Sequence, residues 1–377
     1  DISPQSSTKS GLGFGLIPPC TIVNFSVIMG IKKRRSPSAR QEMERMTNRE
    51  RVIAALEFDR PDRTPYTLSL TGQMLQKMIG YTGRADYMET VGNHISDVYL
   101  IKPERTIKPD FVQDEFGVVG NRSGVDKDIG VIDHPLIGCP GDLDSYQMPE
   151  VDEAYIRSSM ERMLQNCGDN FRVAAIGFSM FERAWTLTGM ENLLVYMLEE
   201  PEFVHELMNM ICERNLRILD IALQYPIDCF HFGDDWGQQK GLIMGPTHWR
   251  EFIKPYVARM YARVHQAGKY VSQHSCGDIR PVMDDLLDIG LNMYQTYQPE
   301  IYGLEYAQNL KGKLTIWGGI STQRELPYCT PDEVRALTRR LIAAFPEGGL
   351  VASPTHSVPG DVPPENIEAM VEVFKEG

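Results

Sequence analysis

Several things are scarce or missing in this 377-residue chain, and each closes off a class of protein. The seven cysteines (20, 139, 167, 212, 229, 276, 329) are scattered, odd in number and contain no CxxC pair. In a chain this long that argues against a disulfide framework and for a reducing compartment, the cytoplasm. Positive charge is short: 38 Lys and Arg against 51 Asp and Glu leave a formal net charge of −13. Residues 1–46 hold seven basic and three acidic residues, a net +4, so the remainder stands at −17. A body that acidic repels a phosphate backbone, which speaks against nucleic acid as a partner. No apolar run is long enough to span a membrane: Gly11–Ile31 is broken by Pro18, Pro19 and Asn24. The basic cluster Lys32–Arg35 follows that run, whereas a secretory signal carries its positive charge ahead of it. Residues 1–45 read as a poorly structured extension, with Met29, Met43 or Met46 as the natural start. Finally there is no GxSxG, Walker loop, GxGxxG or HExxH, so serine hydrolase, P-loop and dinucleotide chemistry find no support.

What is present is an alternation of short apolar segments and amphipathic ones from residue 46 onward. Thr47-Asn-Arg-Glu50 is a capping box that opens a helix running to about Phe58, and Thr330 to Glu333 repeats the device before a helix ending near Phe345. Strands are expected at Pro65–Leu70, Val173–Gly177, Cys229–Gly233, Tyr270–His274, Asn292–Gln295, Leu314–Gly318 and Gly349–Ser353. Helices are expected near 85–100, 190–198, 202–224, 246–267, 281–288, 304–310 and 363–374, and residues 110–120 carry the turns of a hairpin. Strands spaced by helices of this length imply βαβ units and a parallel sheet. With no glycine-rich loop after the first strand, the fold class is α/β, a single (β/α)8 TIM barrel over residues 46–377. Its active site is expected at the carboxyl ends of the strands.

The polar residues at those ends are the candidates. His274 and Cys276, two apart after a strand, can offer imidazole and thiolate to a soft cation such as zinc; a buried cysteine beside a hydrogen-bonded histidine is the plainer alternative. His356, after the last strand, is a candidate third ligand or a catalytic acid–base. Asp234 and Asp235 are adjacent carboxylates that repel unless a cation or donors neutralise them, and so are catalytic candidates. Glu182, Trp236, Gln295 and Tyr297 are placed at the substrate, and Trp185, Tyr294 and Trp317 are further aromatics for a flat pocket.

The opening Met46-Thr-Asn-Arg-Glu-Arg-Val-Ile-Ala-Ala-Leu56 with Arg60-Pro-Asp-Arg-Thr-Pro65 resembles that of the uroporphyrinogen decarboxylase superfamily. So does the ordered series Asp114–Gly117, Gly233–Gly237, His274–Gly277, Trp317–Ile320, Pro354–Pro359 and Pro364–Ile367. The resemblance covers residues 46–377 and implies a (β/α)8 barrel with a deep cleft. The haem-pathway decarboxylase of that superfamily holds substrate carboxylates with arginines just after the first strand; here Pro65–Gly72 contains none. The branch that includes methylcobalamin:coenzyme M methyltransferases holds zinc with His-x-Cys and a distant Cys. His274 and Cys276 match the first two, and Thr355-His356 stands where the third is sought. The resemblance thus implies a zinc methyltransferase that exchanges a methyl group between a small-molecule donor or acceptor and a corrinoid carried by a partner protein. The rival readings are a metal-free decarboxylase in which Asp234 or Asp235 stabilises a protonated heterocycle, and a non-catalytic ligand-binding barrel.

Overall fold

A computed structural model describes residues 45–123 and 131–376, all within one compact unit spanning Glu44–Gly377. The N-terminal extension expected over residues 1–45 lies outside the described residues but for Arg45.

The centre is a seven-stranded parallel sheet in chain order: Ile95–Tyr99, Phe171–Ile176, Cys229–Gly233, Tyr270–His274, Met293–Tyr297, Thr315–Ile320 and Leu350–Pro354. Cys229–Gly233 and Leu350–Pro354 are buried at every position. That is why they read as short unbroken apolar runs rather than as an alternation. Helices such as Pro201–Ala222, Lys254–Gln266, Pro331–Ala343 and Pro364–Lys375 cover the outside. Both capping boxes form, with Thr47 accepting from the Glu50 amide and Thr330 from that of Glu333.

The segment expected as the first strand, Pro65–Leu70, is extended but is not a continuous strand. It pairs with the last strand through bridges at Tyr66–Ala352 and Leu70–Val358. On its other side the Asn93 side chain stands in for a neighbour's backbone, accepting from Leu68 N at 2.8 Å and donating to Leu68 O at 2.9 Å.

The helix expected over 85–100 is corrected. Tyr87–Val91 is a one-turn helix stopped by Gly92 at φ 74°, and Ile95–Tyr99 is a strand in register with Phe171–Ala175. Asp97 and Tyr99 face a hollow, which broke the apolar run that marks a buried strand. Between this strand and the next, a four-stranded antiparallel sheet (Arg105–Lys108, Phe111–Gln113, Val119–Asn121, Val131–Ile132) contains the expected hairpin. It is anchored where the Phe116 ring lies between the guanidinium groups of Arg183, 3.7 Å from its centroid, and Arg214, 4.5 Å away. Arg183 pairs with Asp114 and Arg214 with Glu115. No helix among the described residues is long and apolar enough to cross a membrane.

Candidate metal centre and cavity

The turn after Tyr270–His274 is built by backbone packed on backbone. Gly277 sits at φ 78°, and a Cβ there would lie 2.3 Å from the Gly237 carbonyl carbon; one on Gly237 would lie 2.6 Å from Cys276 O. Only glycine fits at both positions. Hydrogen bonds then tie the turn to its neighbours: Cys276 N to Asp235 Oδ1 at 2.7 Å, Gly277 N to Gln298 Oε1 at 2.7 Å, and Asp278 N to Gln238 O at 2.9 Å. Cys276 is therefore fixed by the ends of adjoining strands before its sulfur does anything.

His274 closes the strand. Its Nδ1 donates to Gln295 Oε1, so Nε2 is the nitrogen left for a ligand. Nε2 lies 3.7 Å from Cys276 Sγ and 3.4 Å from Asp235 Oδ1. The His356 ring, from the loop after the last strand, is 5.6 Å from that of His274 at 73°. One ligand atom each from His274, Cys276 and His356 fall within 4.8 Å of one another. Tetrahedral zinc, with Zn–N of about 2.1 Å and Zn–S of about 2.3 Å, sets its nitrogen and sulfur ligands about 3.6 Å apart. The 3.7 Å observed between His274 and Cys276 already matches that spacing, and an N, S, N donor set suits zinc. The residues fit the ion.

Electrostatics divide the two adjacent aspartates. Burial alone would raise Asp235, but the contacts with His274 and the Cys276 amide outweigh it and hold its pKa at about 2. Burial likewise works against protonated His274, and Asp235 and Cys276 overcome it, keeping its pKa well above the ordinary value. Asp234 points elsewhere. Fully buried, it accepts from the amides of Phe181 at 2.9 Å and Glu182 at 2.8 Å, which begin the helix Phe181–Thr188, and from the Trp236 indole at 2.6 Å. Burial pushes its pKa up to about 6 against those hydrogen bonds.

The centre opens into a cavity of about 370 Å³ at the carboxyl ends of the strands. Its walls include Asp97, Tyr99, His231, His274, Gln295, Trp317 and His356, together with Thr67, Ser69, Asn93, Ser353 and Ser357. His274, Cys276, His356, Asp235 and Gln295 are thus brought together. Glu182, Trp236 and Tyr297, expected at the substrate, do not line the cavity. Glu182 is buried, with its carboxyl raised well above its ordinary pKa by burial and by Asp235 and Asp234. Trp236 is fully buried against Trp249, 5.3 Å between centroids. Tyr297 donates to Gly303 O at 2.7 Å and stacks on Tyr302, facing a separate hollow of about 220 Å³. Gln295 does reach the cavity, but its carbonyl is engaged by His274. Of the aromatics, Trp317 lines the cavity, its indole donating to Thr67 Oγ1 at 2.9 Å. His231 falls in the stretch 231–235 expected at a strand end, whereas Asp97 and Tyr99 are cavity residues that the sequence reading missed. The signal was the period-two series Ile95, Asp97, Tyr99, which places all three on one face of a strand.

A parallel α/β architecture with a polar cavity at the carboxyl ends of its strands, one side of it a ready set of metal ligands, is that of a TIM-like enzyme. The uroporphyrinogen decarboxylase (URO-D) family model matches residues 123–377, and the chain belongs to that family. It is 22% identical over 359 residues to a uroporphyrinogen decarboxylase of Chlorobaculum tepidum, covering 88% of this chain and 98% of the relative. Against a uroporphyrinogen decarboxylase of Chlorobium limicola it is 25% identical over 265 residues, 64% of this chain and 71% of that protein. Among solved structures, a methyltransferase from Methanosarcina mazei superposes with a TM-score of 0.65 at 16% identity, covering 87% of this chain and 98% of that one.

Proposed function

We propose that this protein is a zinc-dependent methyltransferase that moves a methyl group between a small substrate and a corrinoid held by a separate protein. The observation that carries the reading is the convergence of His274, Cys276 and His356 on one point at the cavity. When bound, zinc supplies a Lewis acid that lowers the pKa of a thiol or polarises a methylated heteroatom. The chain's own residues prepare that place. Gln295 fixes the His274 tautomer, and Asp235 holds the Cys276 amide and balances charge beside it. The fold likeness to the Methanosarcina mazei methyltransferase accords with this assignment. Closure of the sheet into an eight-stranded barrel through residues 65–70 and a cytoplasmic location belong to the same proposal.

The names of the curated relatives favour a second reading, decarboxylation of a porphyrinogen. Against it, no Lys or Arg stands among the described residues lining the cavity, so a substrate with many carboxylates lacks a counter-charge. A volume of about 370 Å³ also lies at the small end of ligand pockets.

The test is elemental analysis of protein purified without added metal, followed by methylcobalamin demethylation in the presence of small thiols and a parallel assay of uroporphyrinogen decarboxylation. About one zinc per chain, most of it lost in Cys276→Ala, and demethylation without decarboxylation are expected. Full zinc retention in Cys276→Ala, or decarboxylation alone, sinks the proposal.

A further inference from the structure

The charge balance of the cavity points to the chemical class of the small substrate, an inference that rests on the metal-centre reading above. Asp97 sits mid-strand on the wall, and no described residue makes an ion pair or side-chain hydrogen bond with its carboxylate. Its side chain is open to the solvent of the hollow, while the protein packed around it raises its pKa above the usual carboxylate value. His231 is the second group. It is 4% exposed, its Nδ1 meets Ser272 Oγ at 2.9 Å, and no described residue partners its Nε2, on a ring that lines the same cavity. With Nδ1 donating to Ser272 Oγ, its Nε2 is free to accept a hydrogen bond from a molecule in the cavity.

The metal centre does not offset Asp97. A divalent ion on two neutral imidazoles and one thiolate carries a single positive charge. Asp235, 3.4 Å from His274 Nε2, cancels it. No Lys or Arg is among the described residues lining the cavity, although Arg162 lines a separate hollow behind the strand that also touches Asp97 and Tyr99. Beyond Tyr99 a neighbouring hollow of about 340 Å³ does have Lys102, Arg122 and Arg183 on its walls. Each is already paired, with Asp152, Glu104 and Asp114 respectively. The cavity is left with a carboxylate that no lining residue pairs and an imidazole nitrogen without a partner among the described residues.

We infer that the small substrate carries an amine or ammonium group, held by Asp97 with His231 accepting from it, and bears no sulfonate, phosphate or carboxylate. An anionic substrate would enter against Asp97 with nothing to receive it. A cation would supply the counter-charge that no residue lining the cavity provides.

Three ethanethiols of different charge read this out: 2-aminoethanethiol (cationic), 2-mercaptoethanol (neutral) and the bulkier 2-mercaptoethanesulfonate (anionic), with Asp97→Asn separating charge from size. Their binding to the full chain is measured by calorimetry, with zinc content determined on the same sample. The expected order is cation, neutral, anion, with at least a tenfold difference in Kd between the first and last. Asp97→Asn should bring the extremes to within about threefold, and Asp97→Glu should keep the order; melting curves confirm that both variants fold. Equal or tighter binding of the sulfonate to the wild-type protein overturns the inference, as does an Asp97→Asn variant that preserves the tenfold preference. Absence of zinc with the charge order intact refutes the metal reading alone. Failure of all three thiols to bind overturns both.

Discussion

Gln295→Met isolates the part of the site that the structure alone revealed, the hydrogen bond that orients His274. Methionine keeps the length and roughly the volume of glutamine but cannot accept from Nδ1 strongly. Two consequences follow. The imidazole loses the partner that reserves Nε2 for the metal, and its Nδ1–H becomes a buried donor without an acceptor, worth about 1–3 kcal/mol. Loss of such an outer partner costs about 10- to 100-fold in metal affinity, about 1.4–2.7 kcal/mol. The metal-free protein should change little, because Asp235 and Cys276 still hold the protonated ring and no large cavity is opened. A drop in Tm below about 4 °C is expected for a chain of this size. The assay is competition for zinc against a chromophoric chelator at neutral pH, for wild type, Gln295→Met and Gln295→Glu. Gln295→Glu retains an acceptor, now charged, and should bind zinc at least as tightly as wild type. If Gln295→Met binds zinc within about threefold of wild type, or if Gln295→Glu loses as much as Gln295→Met, the orienting role is wrong.

Three further outcomes are expected. His356→Asn should fold, lose zinc and fall about 100-fold or more in methyl transfer; retention of metal and activity would make the histidine a loop scaffold and redirect the search for a third ligand to Asp235. Gly277→Ala should cost at least about 3 kcal/mol in denaturant unfolding, since its Cβ meets backbone at 2.3 Å at a positive φ; a change under 1 kcal/mol would mean the turn is not interlocked as described. His94 is buried against the Tyr66 ring with neither ring nitrogen partnered, and burial lowers its pKa to about 3. The unfolded chain therefore takes up the proton first, below about pH 6.5, and stability falls as pH drops from there towards 3. The loss from this group between pH 7 and pH 5 is about 2 kcal/mol. His94→Phe should lose that much less over the same interval, measured by denaturant unfolding at both pH values; an identical pH dependence would refute the linkage.

Much of the architecture was legible because it rests on local rules. Strands Cys229–Gly233 and Tyr270–His274 were bounded by turns and read directly, and two threonines followed by glutamate three residues later started two helices as expected. The antiparallel hairpin after residue 110 declared itself through its turns. Where reading failed, the physics was non-local. Ile95–Tyr99 is half lined by solvent in a hollow, so its sequence alternates with polar residues and resembles a helix face more than a buried strand. Pro65–Leu70 was expected to pair along its length, but the Asn93 side chain takes one side of that pairing, which no periodicity encodes.

For the site, the residue types and their spacing determined the metal reading. His and Cys two apart at a strand end made a shared ligand site legible, but the 3.7 Å between their ligand atoms depends on the turn that Asp235, Gln298 and Gln238 hold in place. Spacing could not decide what lies across the sheet. Asp234 and Asp235 are neighbours in sequence, yet one caps the helix Phe181–Thr188 and the other faces His274, because successive residues leaving a strand turn to opposite sides. Trp236 and Tyr297 are as aromatic as Trp317, but only packing put the first two into the protein's interior and left the third at the cavity. His356 reaches His274 from 82 positions away, and Asp97 from 177, since the curl of the parallel sheet aims their side chains into one volume. Which charges meet there, and which is left without a partner, was decided by that convergence alone.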